Sequence, residues 1–119
     1  MTVKLNKRAA EHAEHLVQEG KVVVDDRDAW SEHRPSADEE NAYLEQHGWE
    51  EYGRWYLGVD DEHAEDTKGH YKFPYSDFSK VHRCGLLAAE SRAGQNDYDD
   101  IEKEAHRLHT RMEPATQSS

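Results

Sequence analysis

Nine histidines in 119 residues are the part of this sequence best equipped for chemistry. His12 and His15 stand three apart, and His106 and His109 repeat that spacing. Residues three apart share a helix face, so each pair can offer two imidazoles to one metal ion. Glu11, one turn before His15, or Glu102, one turn before His106, would supply a third ligand. Neither the Glu-x-x-His pair of di-iron bundles nor His-Glu-x-x-His occurs. Both pairs also fall off the apolar stripes of their helices, so a solvated face without metal is the expected state of each. His82 and Cys84 point about 200° apart on a helix, which prevents a thiolate–imidazole pair. Cys84 is expected as a small core residue.

Charged groups provide the other candidates. Asp60 to Asp66 carries the oxygen ligands that hard cations take, but without the ligand spacing or glycine of an EF-hand, and a solvated loop is expected. His70, Lys72, Arg83 and Arg92 form the leading surface, a basic patch near the start of a predicted helix whose dipole would help it hold an anion or an acidic partner. Residues 37–66 hold eleven acids and one base, and residues 67–92 five bases and two acids. The simplest reading is that the two blocks face each other in the fold; a partner surface is the alternative. The Trp/Tyr cluster at 49–56 has the rings for base stacking, but the acids around it favour core packing.

Composition limits what can surround these groups. Leu, Ile, Val and Phe make up 17 of 119 residues, the net charge is -11 and the mean hydropathy is -1.18. That is a thin supply for a core. Nine of the eleven aromatic residues lie between Tyr43 and Phe78, and each can bury about 150–250 Å², so the core is expected around that stretch. The negative charge argues against direct nucleic-acid binding. No apolar run approaches a membrane span, and Met1 to Gly20 lacks the apolar segment of a signal peptide. A lone cysteine fits a reducing compartment, so the cytoplasm is expected.

The elements that must position these residues read as α+β, mostly helical. A two-stranded antiparallel hairpin is predicted at about 54–59 and 70–75, with Trp55, Leu57 and Val59 on one face. Helices are predicted near 6–19, 36–47, 77–93 and 97–112. Asn6, Ser36 and Asp97 are their expected caps, with Asp77 or Ser79 capping the third. Ser36 and Glu39 form a capping box, and Gly20, Gly48 and Gly94 are the stops. Gly85, Ala88 and Ala89 would let another backbone approach the third helix. Residues 1–112 are expected as one small domain, with 1–35 a loosely docked helix and loop, 36–112 the core, and 113–119 a disordered tail.

Trp55-Tyr56-Leu57-Gly58-Val59-Asp60, Thr67-Lys68-Gly69-His70-Tyr71-Lys72-Phe73-Pro74, Val81 to Ala89, and Ser91-Arg92-Ala93 follow one another along residues 55–108. Together they resemble a module of uncharacterised bacterial proteins and of phage head-maturation proteins. Trp30 to Ser36 is similar to uncharacterised small bacterial proteins of unknown function. These resemblances imply an architecture and no activity; no protease nucleophile with its partners is present. The expected function is therefore a non-catalytic interaction or accessory protein, without a cofactor, acting through contact with another protein or through homodimerisation. A small metal-dependent enzyme using the His pairs and an acidic nucleic-acid mimic are the alternatives.

Overall fold

The computed structural model describes residues 3–24 and 29–112. Its order is β1 (Val3–Leu5), α1 (Lys7–Gln18), β2 (Val22–Val23), the single turn α2 (Trp30–His33) and α3 (Ala37–Gly53). These are followed by β3 (Tyr56–Asp60), a 3₁₀ turn (Lys68–His70), β4 (Tyr71–Pro74), β5 (Val81–His82), α4 (Arg83–Gln95) and α5 (Asp99–Met112). The fold is α+β and mostly helical, with a small antiparallel sheet. No described helix is long and apolar enough to cross a membrane.

The predicted hairpin is present as β3 and β4, paired antiparallel with Gly58 opposite Lys72 and Val59 opposite Tyr71. It is not two-stranded. β1 adds antiparallel to the other edge of β3, with Lys4 opposite Val59, and makes β3 the central strand. The expected alternation fails because α1, α3 and α5 pack around this stretch: Trp55, Tyr56 and Leu57 are all buried. Trp55 meets His12 of α1 edge to face, with centroids 4.5 Å apart. Tyr56 packs on Tyr52 of α3, and Gly58 leaves space that Phe73 and Ile101 fill. Two-valine β2 forms a separate parallel pair with β5, an arrangement no local pattern announces.

Asn6 precedes α1 without capping it. Its side-chain amide instead donates to the carbonyls of Gly53 at 2.9 Å and Tyr56 at 3.1 Å, tying α1 to the end of α3. The small Ala9 and Ala13 are fully buried there. At α3 the capping box is formed as expected. The helix breaks at Gly48 (φ 83°) and resumes through Gly53, so the 36–47 segment ends where the glycine predicts but a further turn follows.

α4 begins at Arg83, six residues after the expected start at 77. Residues 76–81 fold back as a turn closed by the Ser76–Val81 bridge, with Phe78 in the left-handed region (φ 66°). The Asp77 carboxylate accepts from the Ser79 and Lys80 N–H groups, so it caps a turn rather than a helix. α4 and α5 form the predicted antiparallel hairpin, α5 burying Ile101, Ala105, Leu108 and Met112. Asp97 has φ 61° and lies in the connecting turn. The expected tail at 113–119 and part of the loop before Trp30 lie outside the described residues.

Candidate functional site

β4 and the last turns of α4 lie side by side and build a basic cleft. One cavity of about 310 Å³ includes Trp30, Arg34, Phe73, Ser91, Arg92 and Gln95 in its lining. A second, of about 190 Å³, is lined by Val3, Lys72, Phe73, Arg92, Asn96 and Tyr98. Phe73 and Arg92 belong to both, so the two cavities adjoin. Phe73 reaches this position with φ 63°, a conformation costly for a bulky residue and one that usually accompanies a functional or packing constraint. No carboxylate among the described residues lines either cavity. Among the described residues no acid is paired with Arg34, Lys72 or Arg92, whereas Lys68 reaches Glu40 of the acidic block at 3.3 Å.

The patch foreseen from sequence is therefore assembled in part. Lys72 and Arg92 converge, and Arg34 joins them from the end of α2. Arg83 stands at the opposite end of α4, roughly 13 Å away by helical rise. The dipole argument also fails, because Arg92 lies in the last turn of α4, where the dipole favours cations and repels anions. His70 belongs elsewhere. Its Nδ1 lies 2.8 Å from the Asp60 carbonyl and 2.9 Å from that of His63. Two carbonyl acceptors require an N–H there, so buried His70 closes the acidic loop. Asp60, also buried, uses Oδ1 to accept the Glu62 N–H at 2.9 Å. The base of the loop is thus committed to its own backbone.

A larger groove of about 620 Å³ runs past Trp49 and Tyr71, whose rings stack at 5.9 Å. Four of its charges are paired, Lys4 with Asp61 at 3.0 Å and Arg8 with Glu50 at 3.5 Å. The rest of the aromatic cluster is core, as expected: Tyr52, Trp55 and Tyr56 are buried. The Tyr56 hydroxyl lies 2.8 Å from both Tyr52 Oη and Glu40 Oε2. Burial raises both phenols, Tyr52 to about 12, so this chain of hydroxyls stays protonated at neutral pH.

The histidine pairs separate sharply. His15 is exposed and His12 half-buried; among the described residues neither joins a group of three metal-ligating side chains. His106 and His109 do, but their third member is Glu90 of α4 rather than Glu102. Glu90 Oε2 lies 2.7 Å from His106 Nδ1, and Oε1 lies 2.8 Å from His109 Nε2. His109 is only 8% exposed, so a solvated face does not describe it: α4 covers that side of α5. His82, expected on the third helix, lies in β5 and holds Asp77 Oδ2 at 2.8 Å. Burial pushes the Asp77 carboxyl up, but the His82 contact and two backbone N–H groups outweigh it and leave it below its ordinary value. Cys84 is buried, as expected of a small core residue.

Comparison with known proteins finds no matching protein family, no matching curated protein and no matching solved structure.

Proposed function

We propose that the protein is a non-catalytic interaction protein that receives an acidic segment of another protein in the Arg34–Lys72–Arg92 cleft. One observation carries this reading. In a chain of net charge -11, three cations line two adjoining cavities beside aromatic rings, with no carboxylate among the described lining residues. Like charges kept together without internal compensation favour an external anion. Trp30, Phe73 and Tyr98 add apolar surface beside the charges, as protein interfaces do. A second copy could supply the acid through its 60–66 loop, so homodimerisation is one form of this reading. The lone, buried Cys84 supports the cytoplasm as its compartment. A basic cleft interrupts the continuous carboxylate stripe that a nucleic-acid mimic requires.

Amide NMR titration with a hexaglutamate peptide tests the proposal. Signals of Ser91, Arg92, Gln95 and Asn96 are expected to shift, with affinity falling as salt rises. The double variant Arg34→Glu/Arg92→Glu should weaken binding by about tenfold or more. Unshifted signals, or undiminished binding by the double variant, would refute it.

A further inference from the structure

The contact between α4 and α5 is built mainly from apolar and small side chains, yet at mid-length it holds three polar groups that converge. His106 and His109 stand three apart on α5 and so share a face. Glu90 projects from α4 between them, with one oxygen near each ring. The three donor atoms lie within 4.8 Å of one another. The rings meet edge to face, with centroids 5.1 Å apart. The arginines beside the His pair on α5 are engaged with other acids: Arg107 contacts Glu104 and Glu14, and Arg111 contacts Glu14.

We propose that Glu90, His106 and His109 form a binding site for a divalent transition-metal ion of the zinc type, which clips α4 to α5. Two imidazoles and one carboxylate form a set that zinc accepts, at bonds of about 2.0–2.2 Å, with a fourth position left for water or another ligand. Tetrahedral bonds of that length put ligand atoms roughly 3.3 Å apart, so the cluster must contract slightly. His106 can supply that movement, since its side chain is 63% exposed, while His109 is held in the packed contact. Without the ion, the same carboxylate accepts hydrogen bonds from both rings. Binding therefore exchanges two N–H···O contacts for three metal bonds, and each coordinating nitrogen gives up its proton. None of the four cavities lined by the other candidate residues includes these three side chains. Because its ligands come from both helices, the site is assigned to holding the hairpin.

The full chain, purified without a histidine tag and stripped with a chelator, is titrated with zinc chloride by calorimetry. Cobalt(II) serves as a spectroscopic stand-in. One equivalent is expected to bind, with a rise in melting temperature and the visible absorption of four-coordinate cobalt. His106→Ala and Glu90→Gln alter side chains outside the apolar core, so their folding can be verified by circular dichroism before titration. Each should weaken zinc binding by more than about tenfold, whereas His15→Ala, on another helix, should leave it unchanged. Absence of one-equivalent binding in the natural chain, or undiminished binding in both the His106 and Glu90 variants, overturns the proposal.

Discussion

His12 stands edge-on to Trp55, and its buried Nε2 has no hydrogen-bond partner among the described residues. Burial, followed by the Arg54 and His15 charges, lowers its pKa from the ordinary 6.5. The sign of the consequence is definite. Below 6.5 the unfolded chain takes up a proton that the folded chain resists, so His12 costs stability as pH falls through that value. His12→Gln, neutral throughout, should reduce the loss of urea resistance between about pH 7 and 5. Equal slopes for the variant and the natural chain would exclude His12 as a source of acid sensitivity. Its spacing to His15 was legible in the sequence. The ring that buries it was not, because Trp55 is brought there by the turn between α3 and β3, 43 positions away.

Within elements, local chemistry is followed where local groups decide the outcome. The Ser36–Glu39 box forms because its donors and acceptors lie within four residues. α4 departs from its expected start because Asp77 finds nearer N–H groups in a turn, and His82 fixes that turn through the carboxylate. The small-residue face of α4 serves as expected, since a Cβ on Gly85 would sit 2.8 Å from the Tyr75 carbonyl oxygen and 3.0 Å from Trp30. Backbone on one side and an indole on the other leave little room to yield. Gly85→Ala should therefore cost about 1–3 kcal/mol, despite the alanine's better helix propensity. Chemical denaturation checks this, and a stabilised variant would mean that the contact relaxes freely.

Across the whole molecule, one buried cluster runs from Ala9 on α1 through Tyr52, Leu57 and Tyr75 to Leu108 and Met112 on α5. Aliphatic residues are scarce, so each one matters more. Leu108 is fully buried, and Leu108→Ala should cost about 2–5 kcal/mol. That is a large share of the roughly 5–15 kcal/mol available to a domain of ordinary stability. Urea melts with an unchanged slope would confirm a loss of packing; a cost below about 1 kcal/mol would show that the core collapses around the gap. The charge blocks have their meaning at this scale as well. Lys68 and Glu40 join them, while the N-terminal Lys4 and Arg8 take up acids from the 37–66 block. Lys72 and Arg92 are thereby left to the cleft.

The sequence by itself determined the helical majority, the β3–β4 hairpin, the α4–α5 pair and an aromatic-centred core. Each depends on periodicities and caps spanning a few residues, which the chain carries locally. Only the tertiary structure decided that β1 makes β3 central, that β2 finds β5, and that Arg34 joins Lys72 and Arg92. It also replaced Glu102 with Glu90 beside His106 and His109. Helical spacing places Glu102 on the same helix as the pair, but the carboxylate that arrives comes from the neighbouring helix. The register between two packed helices is set by their whole interface, and no pattern within either one encodes it.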